Sequence, residues 1–129
     1  MSTTESPSGR APGPLAVDVE RLDSTIALLI PRAGLDGEQL EHALRLTIGD
    51  LVADGVTGLV IDLRAYAVLD SSGLGALVAS HGEVAETSGA RLVLTGVAQS
   101  LHRTLSRSML LQVLPVYQTV ERASAALRA

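Results

Sequence analysis

Residues 59–78 read LVIDLRAYAVLDSSGLGALV and contain, in order, an apolar run, a loop and the start of a helical pattern. The run at 58–63 is short and nearly continuous, which is typical of a strand buried on both faces of a parallel sheet. After the loop at 64–70, apolar residues recur every three or four positions, which predicts an amphipathic helix over 72–87. A buried strand followed by such a helix indicates an α/β fold.

The alternation of strands and helices continues on both sides of this unit. Residues 15–22 alternate apolar and polar side chains, and residues 24–30 are mostly apolar up to Pro31, so together they predict an antiparallel hairpin. Further helices are expected at 37–54, 100–107 and 119–128, and further strands at 90–96 and 111–116. The order ββαβαβαβα predicts one α/β domain over residues 15–129, with a mixed sheet of four or five strands and about four helices.

The composition excludes several classes of chemistry. The chain has 129 residues and a formal net charge of −4, and its ten basic residues are all Arg. Without Lys there is neither a P-loop nor Schiff-base catalysis, and without Cys there is no thiol nucleophile, disulfide or cysteine-held zinc. The sequence also lacks the basic stripe and the stacking aromatic residues that typically bind nucleic acids.

The first residues differ in composition from the rest of the chain. Residues 1–14, MSTTESPSGRAPGP, are rich in Ser, Thr, Pro and Gly, and we expect them to form a disordered tail. They have no apolar segment of the kind found in signal peptides, and no run of about 18 apolar residues occurs anywhere in the chain. A cytoplasmic protein without membrane contact is therefore expected.

The turn Asp70-Ser71-Ser72-Gly73 has two interpretations from the residues alone. In the first, Asp or Ser caps the helix and Gly73 relaxes the backbone. In the second, the turn carries the function, because open α/β sheets expose functional groups at the carboxyl ends of their strands. A phosphate on a serine here would add about −1.5 to −2 charges at a helix N-terminus, where anions are stabilised.

The sequence resembles the STAS domain family, and especially the bacterial anti-sigma factor antagonists. The resemblance is carried by LVIDL at 59–63, VL at 68–69 and DSSGLG at 70–75, and it covers roughly residues 15–127. It implies that Ser71 is phosphorylated by an anti-sigma factor with serine kinase activity, and that a phosphatase reverses this. The unphosphorylated antagonist binds the anti-sigma factor and thereby frees a sigma factor. The resemblance implies no enzymatic activity and no cofactor or metal for this chain.

The resemblance also implies roles for individual residues at the partner-binding surface. Asp70 would present the hydroxyl of Ser71, and Ser72 would bond to the helix N-terminus or to the phosphate. Gly73 would allow the partner to approach closely. Asp36, which precedes the first helix and has Gln three positions later, is a candidate partner contact and also a candidate helix cap.

Two alternative functions place different requirements on the sequence. A stressosome-like or other scaffold STAS domain would bind partners without a kinase cycle, and LTG at 94–96 is similar to such domains. A serine hydrolase is disfavoured because the Gly-x-Ser-x-Gly elbow is absent and His81 lies about 15 Å along the helix from Ser71. Gly34 stands where the antagonists usually have Glu, so the identity of the partner stays open. Homodimerisation also stays open.

Overall fold

The computed structural model describes residues 16–87 and 89–129, which form four strands and four α-helices. The strands are β1 (Val17–Arg21), β2 (Ile26–Pro31), β3 (Gly58–Asp62) and β4 (Arg91–Thr95). The helices are α1 (Gly37–Ala53), α2 (Ser71–Thr87), α3 (Gln99–Arg107) and α4 (Val120–Arg128). The predicted mixed α/β sheet with four helices is confirmed, whereas the tail expected at 1–14 lies outside the described residues.

The sheet has the strand order β1-β2-β3-β4. The first two strands form the predicted antiparallel hairpin, and β2, β3 and β4 are parallel. The carboxyl ends of the three parallel strands therefore share one edge of the sheet, where the loops leading into α1, α2 and α3 begin. Because β1 runs in the opposite direction, residue 16 lies at this same edge, with its carbonyl accepting a hydrogen bond from Arg32 N–H at 2.8 Å.

The prediction of a strand at 111–116 is wrong. Residues Leu110–Gln112 form a short 3₁₀ helix, and the only pairing that follows is a single parallel bridge between Leu94 and Val116. The backbone is not extended here, because Leu110–Gln112 form the 3₁₀ turn, Val113 has the helical angles φ −108° and ψ −24°, and Pro115 has no N–H to donate to a ladder. The apolar character of this segment reflects burial instead, since Leu114 is fully buried.

Two cores lie on opposite faces of the sheet. Helices α1, α2 and α3 cover one face with a cluster built almost entirely from Leu, Val, Ile and Ala, while α4 covers the other face through Val120, Ala123 and Leu127. All five residues of β3 are buried, as the continuous apolar run predicts. Each fully buried Leu contributes about 1.5–3 kcal/mol, so many aliphatic contacts replace the missing large aromatic residues.

Candidate functional site

Asp70 caps helix α2, which begins one residue earlier than predicted. Its Oδ1 atom accepts a hydrogen bond from Gly73 N–H at 2.8 Å, and its carbonyl accepts one from Leu74 N–H at 3.0 Å. The carboxylate thus occupies the N-cap position, where it satisfies a backbone donor that has no partner within the helix. Ser71 and Ser72 follow as the first two helical residues, and both side chains are exposed.

Gly73 is buried inside the turn. A Cβ atom at this position would lie 2.9 Å from Cδ2 and 3.3 Å from Cβ of Leu69. Leu69 in turn packs against the larger core cluster, so a side chain at Gly73 would push the turn off the core. Packing within the chain already accounts for this glycine, and a close approach by a partner stays a prediction.

Asp36 is an exposed cap that lies beside this turn. It forms a reciprocal capping box with Gln39, in which Gln39 N–H donates to Asp36 Oδ1 at 2.8 Å and Asp36 N–H donates to Gln39 Oε1 at 3.0 Å. The next residue is Gly37, where a Cβ atom would lie only 1.5 Å from Ser72 Oγ and 2.6 Å from the Ser72 carbonyl carbon. The starts of α1 and α2 therefore touch, and the structure brings Asp36 to the DSSG turn.

Tyr66 links the loop before α2 to the loop before α1 by hydrogen bonds. Its hydroxyl donates to the carbonyl of Arg32 and accepts from the Leu35 N–H at 3.2 Å, so the loop before α2 is tied to the loop before α1. Burial raises the pKa of the Tyr66 phenol, and the Leu35 N–H opposes that shift. No sequence motif indicates this residue. Its one signal is that it is the single aromatic residue of the loop at 64–70.

The same loop is fixed at its other end by a buried acid. The Asp62 carboxylate is 3% exposed, accepts from Arg64 N–H and Nε at 2.9 Å, and also bonds to Arg64 Nη2. The hydrogen bonds and charge of Asp62 raise the pKa of the Arg64 guanidinium. A Cβ atom at Gly96 would lie 2.1 Å from Asp62 Oδ1, so this acid also requires a glycine after β4.

The exposed surface at this edge carries carboxylate and hydroxyl groups. It presents the side chains of Asp36, Asp70, Ser71 and Ser72, and Val68 is 69% exposed beside them. Among the described residues, neither serine hydroxyl and neither N–H group of Ser71 and Ser72 forms a hydrogen bond. His81, the nearest histidine along the chain, lies on the same helix with its Nδ1 buried and without a hydrogen-bond partner. The hydroxyl groups of Ser71 and Ser72 are therefore exposed and lie beside the Asp70 carboxylate.

Two further features of residues 16–87 and 89–129 bear on metal binding and on membrane insertion. No group of three or more potential ligands there is placed to hold a metal ion. No helix in those ranges is long and apolar enough to cross a membrane.

Several solved structures are similar to this fold. An anti-sigma factor antagonist from Mycobacterium paratuberculosis is 31% identical, with a TM-score of 0.67 over 88% of this chain and 93% of its own. A Thermotoga maritima protein, proposed to be an anti-sigma factor antagonist, is 20% identical, with a TM-score of 0.76 over 88% of this chain and 95% of its own. The Bacillus cell-fate determinant SpoIIAA in its phosphorylated form is 19% identical, with a TM-score of 0.64 over 88% of this chain and all of its own.

A match to a protein-family profile agrees with the similarity to these structures. The profile of the STAS domain family matches residues 17–123, a range that contains all four strands and the DSSG turn. No curated protein matches the sequence significantly. The profile covers most of the chain, and the mycobacterial structure is similar in sequence as well as in fold. The chain therefore belongs to the STAS domain family.

Proposed function

We propose that this STAS domain is an anti-sigma factor antagonist whose binding to an anti-sigma factor is ended by phosphorylation of Ser71. The observation that carries the proposal is that, at the start of α2, one residue caps the helix while the next exposes its hydroxyl. Asp70 supplies the helix cap, so the fold does not need the Ser71 hydroxyl, which is exposed at the first helical position. A kinase can therefore reach this hydroxyl without unfolding the turn.

The similar structures support this function. The mycobacterial and Thermotoga proteins are described as antagonists, the latter as a proposal. SpoIIAA, also an anti-sigma factor antagonist, has been solved in an unphosphorylated and a phosphorylated form. The partner surface proposed here comprises Asp36, Asp70, Ser71, Ser72 and Gly73, and the contact of Gly37 with Ser72 makes it continuous.

Charge explains how the modification would end binding. A phosphate on Ser71 adds about −1.5 to −2 charges to a surface that already exposes Asp36 and Asp70. A docked partner would have to desolvate this charge or meet it with a positive group. A loss of about 3 kcal/mol in binding free energy would weaken the complex more than a hundredfold.

The chemistry of the cycle is assigned to the partners. The Asp70 carboxylate beside Ser71 is engaged as the helix cap, so we assign the serine kinase activity to the anti-sigma factor and the removal of the phosphate to a separate phosphatase. This chain acts as ligand and substrate, is not an enzyme, and works in the cytoplasm.

Peptide mass spectrometry tests the proposal on protein isolated from its own host, with and without phosphatase treatment. A phosphate on Ser71 that phosphatase removes is the expected result. Ser72→Ala is the matched control, since it removes the neighbouring hydroxyl and should leave the phosphate in place, whereas Ser71→Ala should abolish it. Phosphate on Ser72 alone would correct the site.

Binding to the co-purified anti-sigma factor provides the second readout. Ser71→Ala should bind like the unphosphorylated protein, and Ser71→Asp at least about tenfold more weakly, which corresponds to about 1.4 kcal/mol. Equal affinities would contradict the charge argument. The absence of phosphate under every growth condition would favour a scaffold STAS domain instead.

A further inference from the structure

The two edges of the sheet differ in how they are covered. Residues 115–117 cover β4, since Leu94 N–H donates to the Pro115 carbonyl at 2.8 Å and Tyr117 N–H donates to the Leu94 carbonyl at 2.9 Å. The other edge is β1, and no other segment among residues 16–87 and 89–129 pairs with its outer side. An uncovered edge strand is a template for pairing with another chain.

The hydrogen-bond register identifies the groups that this edge offers. The Ala16 carbonyl accepts a hydrogen bond from Arg32 N–H at 2.8 Å, and Leu22 N–H donates one to the Ile26 carbonyl at 2.9 Å. Both residues that flank β1 thus point their backbone groups toward the β2 side. Hydrogen-bonded pairs alternate with non-bonded pairs in an antiparallel ladder. Every second residue of β1 therefore turns its N–H and C=O groups outward, and these residues are Val17, Val19 and Arg21.

A groove beside this edge can accept apolar side chains. It has a volume of about 530 Å³ and runs between β1 and helix α1, with Val19 and Leu46 on its walls. Both residues are 44% exposed, so they can contact an added strand. A second groove of about 350 Å³ lies along the preceding turns of α1, between Glu38, His42 and Leu35. An added strand would place every second side chain over these grooves.

The opposite face of β1 carries two carboxylates, which favour a strand with basic side chains. Asp18 and Glu20 are both exposed there; Asp18 pairs with Arg32 at 2.9 Å, with both side chains more than half exposed, and Glu20 interacts electrostatically with Arg64. Two copies of β1 paired antiparallel about Val19 would place Asp18 of each directly opposite Glu20 of the other. Like charges directly opposite each other destabilise a sheet, so self-pairing is disfavoured.

We propose that the outer edge of β1 binds an extended segment of a partner protein as a fifth strand. The segment alternates apolar side chains, which enter the groove beside α1, with Arg or Lys side chains, which lie opposite Asp18 and Glu20. Backbone hydrogen bonds to Val17, Val19 and Arg21 pair the segment with β1, and the charges of Asp18 and Glu20 make the site prefer a basic segment over an acidic one. This surface goes beyond the proposed function, because it does not use Ser71.

Peptide titration followed by NMR tests this proposal on the full chain. The probe is a synthetic nine-residue peptide that alternates Val and Arg, and its control replaces each Arg with Glu. The Arg peptide should shift the amide signals of Val17, Val19 and Arg21 at submillimolar concentration, and the Glu peptide should bind at least about tenfold more weakly. The variant Ser71→Asp should bind the Arg peptide like the wild type, which separates this site from the phosphorylation switch.

Two variants test the geometry. Val19→Pro removes an outward N–H without touching the ladder to β2, because prolines are tolerated in an edge strand when the missing N–H faces solvent. It should weaken peptide binding at least tenfold relative to Val19→Thr, which keeps that N–H. If Val19→Pro does not fold, the double variant Asp18→Lys, Glu20→Lys serves instead and should reverse the preference between the two peptides.

Five outcomes would overturn the proposal. Neither peptide shifts the β1 signals at millimolar concentration, or both bind equally well. Val19→Pro and Val19→Thr bind alike. The Val19 amide of the full chain is already protected from hydrogen exchange at every protein concentration, which would make residues 1–15 the occupant. Protection that appears only in a dimer would make a second copy the occupant.

Discussion

Replacing Gly37 by Ala should disturb the contact that joins the starts of α1 and α2. A Cβ atom there would lie 1.5 Å from Ser72 Oγ, which rotation of the serine side chain can relieve. It would also lie 2.6 Å from the Ser72 carbonyl carbon, and no rotation removes that contact. Helix α1 or the DSSG turn must therefore shift. The substitution tests whether this contact determines the geometry of the proposed partner surface.

The expected change in the free energy of unfolding follows from comparing the cost of the clash with the gain in helix propensity. Overpacking of this kind costs about 1–3 kcal/mol, and Ala in place of Gly in a helix recovers about 0.5–1 kcal/mol. Gly37→Ala should lower the free energy of unfolding by about 1–2 kcal/mol. Gly49→Ala is the matched control on the same helix, because no atom lies within 4 Å of its Cβ position. It should raise the free energy of unfolding by about 0.5–1 kcal/mol.

Urea unfolding followed by circular dichroism measures both variants. Their free energies should differ by about 1.5–3 kcal/mol, or roughly 6–12 °C in Tm at about 4 °C per kcal/mol. Adding Ser72→Gly to Gly37→Ala should restore only part of the loss, because the contact with the backbone carbon remains. If Gly37→Ala is as stable as Gly49→Ala, the contact does not constrain the two helices and the reasoning is refuted.

Further predictions concern the supports of the loop before α2. Gly96→Ala should lower stability by at least about 1 kcal/mol more than Gly89→Ala in urea unfolding, because both glycines have positive φ but only Gly96 faces the Asp62 carboxylate. Burial raises the pKa of Tyr66 in the folded state. The contribution of the neutral phenol to stability is therefore complete below its unfolded-state pKa near 10, and it is lost as the pH rises through the higher folded-state pKa. Tyr66→Phe should therefore reduce the loss of stability above pH 10, a region free of Lys titration in this chain, in urea unfolding measured as a function of pH.

The parts of the fold that local pattern determines could be predicted from the sequence. The buried strand β3 and the helix after it follow from the spacing of apolar residues, and Asp36 follows from the capping box with Gln39. The strand expected at 111–116 failed because an apolar run indicates burial without specifying an extended backbone. The turn was ambiguous for a similar reason, since its sequence suits both a cap and a modified site.

The contacts that assemble the site could not be predicted, because they join residues far apart in the chain. Nothing in the local sequence indicates that Gly37 packs on Ser72, that Tyr66 reaches Arg32, or that Gly96 faces Asp62. Each depends on the order of the strands and on the two loops meeting at one edge of the sheet. A glycine directly after a helix cap, where Gly is a poor helix former, is the one signal that a close approach was required.

The direction of β1 sets where other molecules can be attached to this protein. Residue 16 emerges at the edge that carries Asp36 and the DSSG turn, since its carbonyl bonds to Arg32 just after β2. The last turn of α4 lies at the opposite edge, where Arg128 pairs with Asp23 at 2.9 Å. A fluorophore, bead or fused domain attached directly at residue 16 therefore sits beside the proposed partner surface. The same group attached at residue 128 leaves that surface clear, so binding measured on immobilised protein should depend on which of these two positions is tethered.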